Sequence, residues 1–123
     1  MHILIKRQLM FNKLFKSLKW SLSGIYHCFK AEQSFRLEVF LFIVTSILCF
    51  IVNISFLHFL CLTSLVLLMM AFELMNSAVE KLADLISTDY NPGIKYAKDA
   101  GSAAVFLCLI IYCVALVYIY VCL

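Results

Sequence analysis

The sequence lacks the local spacings that mark most metal sites and nucleotide-binding loops. None of its six cysteines forms a Cys-x-x-Cys pair, and its three histidines have no ligand spacing with them, which disfavours a zinc site. No Gly-x-x-x-x-Gly-Lys-[Ser/Thr] loop and no protein-kinase motif set is present, so any nucleotide site must be of another design. We expect the cysteines to act mainly as small apolar packing residues.

Charged and turn-forming residues are also scarce. Charged residues make up 14% of the 123 positions and hydrophobic residues 65%, whereas a soluble domain has about 45–50% apolar residues. With one proline and three glycines, no linker, repeat or low-complexity tract divides the chain. Because a bilayer takes up the apolar faces of helices, we expect residues 1–123 to form a single all-α membrane domain.

Long uncharged segments predict three transmembrane helices. Residues 39–72 carry no formal charge and would reach about 51 Å as one helix, whereas the hydrocarbon core is about 30 Å thick. The segment must therefore fold back, and Asn53-Ile54-Ser55 is the one place in it where two turn-forming polar residues cluster. We predict spans over about residues 36–53, 57–80 and 100–123.

The basic residues predict the orientation of the chain. Seven of the ten Lys and Arg residues lie in the first 36 positions and three lie between the second and third spans, whereas the hairpin at Asn53 has none. The positive-inside rule then puts the N-terminus in the cytoplasm and the C-terminus outside.

Apolar residues recur at three- and four-residue intervals over about residues 6–30, among lysines on other faces. This pattern predicts an amphipathic surface helix on anionic lipid, and it fits equally an N-terminal helix packed on the bundle. We therefore expect a membrane lipid as a partner, and we expect no nucleic acid.

One face of the second predicted span is polar and acidic. At 100° per residue, five side chains fall between about −60° and +40° around the helix axis: Glu73, Asn76, Ser77, Glu80 and Asp84. A charge near the bilayer centre costs roughly 2.5–3.5 kcal/mol, so something must offset the cost of Glu73. The stripe alone also fits a polar seam that holds a helix oligomer together.

Further polar residues are expected at the same membrane face. Lys98 and Asp99 precede Gly101-Ser102-Ala103-Ala104 at the start of the third span, and Glu32 precedes the first span. Small residues let helices approach closely, and a lysine beside carboxylates can hold a phosphate that a carboxylate-bound Mg²⁺ also touches. Three carboxylates, one lysine and one amide are therefore expected to converge, a set suited to phosphoryl transfer.

Three separate polar motifs carry a family resemblance that covers about residues 16–115. They are Ala31-Glu32-Gln33-Ser34-Phe35-Arg36-Leu37-Glu38, Glu73-Leu74-Met75-Asn76-Ser77-Ala78-Val79-Glu80 and Ala97-Lys98-Asp99-Ala100-Gly101-Ser102-Ala103-Ala104-Val105. The chain resembles the small prokaryotic integral-membrane diacylglycerol kinases. The resemblance implies a homotrimer of three-span subunits, each with an N-terminal surface helix. It also implies a place in the bacterial inner membrane, with the active site at the cytoplasmic face.

The implied activity is transfer of the ATP γ-phosphate to the hydroxyl group of diacylglycerol, which gives phosphatidic acid. By resemblance, Glu73 is the general base on the lipid hydroxyl, and Glu32 and Glu80 bind Mg²⁺ with nearby Asn76. The residues implied at the nucleotide are Lys98, Asp99, Asn76, Glu32 and Glu80, and those implied at the lipid substrate are Glu73 and Ser102.

Two alternatives remain open. A sister branch of the family phosphorylates undecaprenol, although Gly101-Ser102-Ala103-Ala104 and Glu73-Leu74-Met75-Asn76-Ser77 look more like the diacylglycerol branch. A small proton-coupled exporter or a pore-forming oligomer is an alternative of another class, because an intramembrane glutamate can be a proton-coupled binding site. An exporter's glutamate should lie near mid-span, whereas the ionisable residues here are expected at one face.

Overall fold

The computed structural model describes residues 1–123 as four α-helices. They are α1 (His2–Ala31), α2 (Gln33–Ile51), α3 (Phe56–Ile86) and α4 (Pro92–Cys122). By length and composition, α2, α3 and α4 can each cross a membrane, which confirms the predicted all-helical class with three candidate spans. Helix α3 is the centre of the bundle, because it contacts each of the other three helices.

The helices have different limits from the predicted segments. Helix α1 begins at His2 rather than near residue 6, α2 covers Gln33–Ile51 rather than 36–53, α3 continues to Ile86, and α4 begins at Pro92. The length of an uncharged segment indicates how much of a helix can lie in lipid. The ends of the helix itself are determined by backbone hydrogen bonds and capping residues. At 31 residues each, α3 and α4 are about 46 Å long and therefore extend past a hydrocarbon core of about 30 Å.

Capping residues define the turn between α2 and α3 and the turn between α3 and α4. Asn53 has a φ of 55°, in the left-handed region that asparagine tolerates better than most residues, and the Ser55 side chain caps α3. At the other end of α3, the Asn91 side chain accepts a hydrogen bond of 2.8 Å from the Gly93 N–H, with Pro92 as the first residue of α4. The chain therefore reverses at the predicted Asn53–Ser55 turn and again just before Pro92.

The corner between α1 and α2 consists of a single extended residue, Glu32, with φ −108° and ψ 118°. Across this corner, Arg36 Nη1 donates hydrogen bonds of 2.9 Å to the backbone carbonyls of Phe29 and Lys30. These carbonyls lie in the last turn of α1 and have no partner within the helix. The Arg36 side chain therefore fixes the direction in which α1 leaves the bundle.

The apolar core joins α2, α3 and α4 along the part that crosses the membrane. Its buried members are Cys49, Leu62, Val66, Met69, Cys108, Tyr112 and Ile119. Within this region, the Thr45 and Tyr112 hydroxyls are 2.6 Å apart and link α2 to α4. Only 15 of the 123 residues are buried in one copy, so most large apolar side chains face outward, as contact with lipid requires.

Candidate active site

Helices α2, α3 and α4 and the α1–α2 corner enclose a cavity of about 360 Å³ at one end of the bundle. We call this cavity the acidic pocket. It is lined by Glu32, Ser34, Glu38, Glu73, Asn76, Glu80, Ser102, Val105 and Phe106. Four of these residues are carboxylates and none is a lysine or arginine, so the negative charge of the lining has no basic side chain to balance it.

Three polar side chains of the pocket are almost completely buried. The exposed fractions are 7% for Glu38, 6% for Glu73 and 8% for Asn76. The Asn76 amide donates a hydrogen bond of 3.4 Å from Nδ2 to Glu80 Oε1, one turn further along α3. Glu38 Oε2 and Asn76 Oδ1 have no hydrogen-bond partner, and a buried acceptor without a partner costs about 1–3 kcal/mol. These oxygens are therefore available to a donor or cation that enters the pocket.

A second cavity, of about 420 Å³, adjoins the acidic pocket on the side away from the core. We call it the outer cavity; its lining residues are Glu32, Glu80, Lys81, Asp84 and Leu85. Glu32 and Glu80 line both cavities and therefore stand at the boundary between them.

The outer cavity lies beside Lys98 of α4. Lys98 Nζ donates a hydrogen bond of 2.6 Å to Asp84 Oδ1, which places an ammonium group at the rim of the outer cavity. Asp99 forms a separate ion pair of 2.6 Å with Lys95 on the exposed face of α4.

A third, mainly apolar cavity of about 210 Å³ extends from the acidic pocket toward the membrane-spanning part of the bundle. This membrane-side cavity is lined by Leu37, Glu38, Leu41, Met69, Val105, Phe106 and Leu109. Glu38, Val105 and Phe106 also line the acidic pocket. The three cavities therefore form a series, from apolar through acidic to a mixed-charge outer end.

The structure brings together only part of the predicted set. Five predicted residues line the acidic pocket: Glu32, Glu73, Asn76, Glu80 and Ser102. Lys98 and Asp99 do not line it. The residues of the predicted acidic stripe on α3 do not all face the acidic pocket, because Asp84 pairs with Lys98 and Ser77 faces α1.

Ser77 packs against the last turns of α1, where its Oγ lies 3.5 Å from Cys28 Sγ. Burial raises the pKa of the Cys28 thiol, which the Ser77 contact partly offsets, and the negative charge of Glu32 raises it further. The thiol therefore stays protonated and links α1 to α3 as a packing contact rather than as a reactive group.

Sequence reasoning overlooked Glu38. It stands at the end of the first polar motif and inside the predicted first span, where an unpaired carboxylate is as costly as it is for Glu73. A carboxylate at such a position indicates a functional residue. The uncharged segment begins only at the following residue, and the burial of Glu38 on the same pocket as Glu73 emerges only from the packing of α2 on α3.

The donors of the pocket fit a hard divalent cation. No group of three or more His, Cys, Asp or Glu side chains lies close enough together to enclose a metal ion. Mg²⁺, however, is usually bound by one or two carboxylates plus substrate phosphates and water. Glu32 and Glu80, at the boundary of two cavities and beside the Asn76 amide, provide such a pair.

The fold and site define a small helical membrane protein with a carboxylate-lined pocket at one end of its spans. Its sequence matches the family described as Prokaryotic diacylglycerol kinase over residues 19–120. The chain belongs to this family of lipid kinases.

Curated relatives agree with this family assignment. The chain is 43% identical over 98 residues to a diacylglycerol kinase of Haemophilus influenzae, an alignment that covers 80% of this chain and 83% of the relative. It is 34% identical over 104 residues to a diacylglycerol kinase of Pseudomonas aeruginosa, covering 85% of each. It is 31% identical over 103 residues to an undecaprenol kinase of Bacillus subtilis, covering 84% of each.

Proposed function

We propose that the chain transfers the γ-phosphate of ATP to the hydroxyl group of diacylglycerol, giving phosphatidic acid and ADP. The observation that carries this proposal is the series of three cavities. The membrane-side cavity suits an acyl chain, the acidic pocket suits the reacting hydroxyl, and the outer cavity with Lys98 at its rim suits polyphosphate. A lipid and a nucleotide can thus approach Glu73 from opposite sides.

Glu73 is the general base of the proposed reaction. Its buried carboxylate lines the acidic pocket below Glu80, toward the membrane-spanning part of α3. It accepts the proton of the lipid hydroxyl while the hydroxyl oxygen forms a bond to the γ-phosphorus of ATP. The bond between the γ-phosphorus and the bridging oxygen breaks, and ADP leaves with that electron pair. Ser102, which also lines the pocket, is positioned to contact the lipid head.

Lys98 binds the ATP phosphates in this proposal, and Asp99 contributes at the nucleotide end. The Lys98 ammonium carries three N–H donors and uses one of them on Asp84, so it can retain Asp84 and still donate to a phosphate oxygen. Asn76, Glu32 and Glu80 complete the nucleotide end of the site from α3 and the α1–α2 corner.

Glu32 and Glu80, with Asn76 beside them, would hold Mg²⁺. Such an ion would supply charge neutralisation at the phosphate oxygens. Lys81 lines the outer cavity, but the acidic pocket has no lysine or arginine in its lining, which supports a cation on the pocket side of this boundary.

The same site implies a cytoplasmic face in a bacterial inner membrane, because ATP is available there. This agrees with the distribution of charge, since the lysines lie on α1 and on the ends of α3 and α4 that flank the α3–α4 turn, whereas the Asn53–Ser55 turn has none. We also propose a homotrimer, from the family resemblance and from the extensive apolar surface that one copy leaves uncovered. Chemical cross-linking of the protein in bicelles should give a ladder that ends at three subunits.

Undecaprenol is the second candidate substrate, because a relative named undecaprenol kinase aligns over most of the chain. Membership of a kinase family favours either lipid kinase over the exporter. A mixed-micelle assay with ATP and Mg²⁺ should compare diacylglycerol and undecaprenol at equal mole fraction. Faster phosphate transfer to diacylglycerol supports the proposal. Faster transfer to undecaprenol would assign the chain to the sister activity, and transfer to neither would reject both.

A further inference from the structure

Gly101 on α4 faces Asn76 on α3 at the floor of the acidic pocket. The backbone of Gly101 is helical, with a negative φ, so its conformation does not require glycine. Glycine inside a helix is less favourable than alanine by roughly 0.5–1 kcal/mol. The structural reason for a glycine at this position must therefore be space.

The space is occupied by the side-chain amide of Asn76. A Cβ atom added at Gly101 would overlap Asn76 Oδ1 and would lie 3.3 Å from Asn76 Cγ, but it would lie 3.7 Å from Asn76 Cα. The last distance is an ordinary van der Waals contact, so the two helix backbones could accept alanine at the present separation. Only the Asn76 amide would have to move.

The position of this amide affects the carboxylate next to it. Asn76 is 8% exposed, and its only side-chain hydrogen bond runs from Nδ2 to Glu80 Oε1. Its Oδ1 has no hydrogen-bond donor and lies against the Gly101 backbone. A side chain confined on both sides has few alternative rotamers, so displacing Oδ1 also displaces Nδ2 from Glu80.

We infer that Gly101 is a positioning residue: by having no side chain, it admits the Asn76 amide, which in turn orients the Glu80 carboxylate at the boundary of the acidic pocket. This inference rests on the proposed role of Glu80 in binding Mg²⁺. It assigns Gly101 no contact with substrate.

The test is a double-mutant cycle of Gly101→Ala and Asn76→Ala, with Gly24→Ala as the matched control. Gly24 is also a helical glycine, but a Cβ added there meets nothing within 4 Å. The readouts are kcat and KM for Mg·ATP, the affinity of the nucleotide-free protein for Mn²⁺ by electron paramagnetic resonance, and the midpoint of thermal unfolding in detergent.

Gly101→Ala should weaken Mn²⁺ binding and raise the KM for Mg·ATP by about 10- to 100-fold, the range typical for loss of a group that orients a metal ligand. Its unfolding midpoint should equal or exceed that of the wild type. In the Asn76→Ala background, the same substitution should change either quantity less than about twofold, because the shortened side chain at position 76 leaves room for the new methyl group. Gly24→Ala should match the wild type in KM and Mn²⁺ affinity, and its unfolding midpoint should equal or exceed that of the wild type, because alanine is more favourable than glycine inside a helix.

Two results would overturn the inference. One is a Gly101→Ala protein with wild-type Mn²⁺ affinity and KM. The other is an equal loss from Gly101→Ala in both backgrounds, which would indicate helix packing rather than the amide. A failure of the proposed function is separate, since it would appear as a wild-type protein that binds Mn²⁺ but transfers no phosphate to lipid.

Discussion

Lys98 Nζ lies 2.6 Å from Asp84 Oδ1, an ion pair that joins the last turns of α3 to the first turns of α4. Both side chains are partly exposed, 37% for Lys98 and 56% for Asp84, and exposed ion pairs contribute only about 0–1 kcal/mol to stability. The main consequence of the pair is therefore its location, because it holds an ammonium group at the rim of the outer cavity.

Replacing the two members of this pair should have unequal effects. Lys98→Gln should raise the KM for ATP about 10- to 100-fold, since a hydrogen bond to a charged group contributes about 1.5–3 kcal/mol. Asp84→Asn should have a much smaller effect, because the lysine remains. Both variants should unfold near the wild-type temperature. Equal kinetic losses in steady-state assays would show that the pair is structural and that Lys98 does not bind phosphate.

Glu32 and Glu80 should determine the Mg²⁺ requirement. Glu32→Gln or Glu80→Gln should raise the Mg²⁺ concentration for half-maximal activity about tenfold or more, because an amide contributes no charge to a hard cation. Asp89→Asn, a carboxylate-to-amide change in the exposed α3–α4 turn, is the matched control. The Mg²⁺ titration of Asp89→Asn should coincide with that of the wild type. If the titrations of Glu32→Gln and Glu80→Gln coincide with it as well, the metal binds elsewhere.

The orientation in the membrane can be tested separately from catalysis. Reporter fusions after Asn53 and after Leu123 should both read as external, because the basic residues lie on the opposite side of the first and third spans. A fusion within the α3–α4 turn, at Asp89, should read as cytoplasmic. A cytoplasmic C-terminus would contradict the three-span topology.

The Thr45–Tyr112 hydrogen bond should stabilise the bundle modestly. Tyr112→Phe removes one hydroxyl from a buried pair whose oxygens are 2.6 Å apart. We expect a loss of about 0.6 kcal/mol, up to roughly 1.7 kcal/mol, the range found for interhelical hydrogen bonds in membranes. Unfolding by SDS, with Thr45→Val and the double variant completing the cycle, measures the coupling. Strictly additive losses would mean that the two hydroxyls do not stabilise each other.

The sequence predicted the elements better than their mutual arrangement. Long uncharged segments were sufficient to predict the three spans, and the cluster of turn-forming residues near Asn53 was sufficient to predict where the chain reverses. The angular position of a residue on one helix, however, does not say which neighbour lies at that angle. The helical period puts Ser77 on the acidic stripe, yet α1 packs against that edge of α3 and separates Ser77 from the pocket.

The periodicity of a single helix also could not predict the roles of Glu38 and Gly101, two residues outside the predicted site. Glu38 enters the acidic pocket because α2 packs on α3, and Gly101 acquires its importance only through the Asn76 side chain opposite. Both roles depend on contacts between two helices, so neither role follows from the periodicity of a single helix.

The most direct test of the account is the turnover of Glu73→Gln in mixed micelles that contain diacylglycerol, ATP and Mg²⁺. Glutamine keeps the shape of the side chain but cannot accept the proton of the lipid hydroxyl. We predict a fall in kcat of about 10²-fold or more, the scale of general acid–base catalysis, with ATP binding, oligomeric state and unfolding midpoint unchanged. A correctly assembled Glu73→Gln protein with near-normal kcat would contradict the assignment and leave Glu73 as a polar residue of the helix interface.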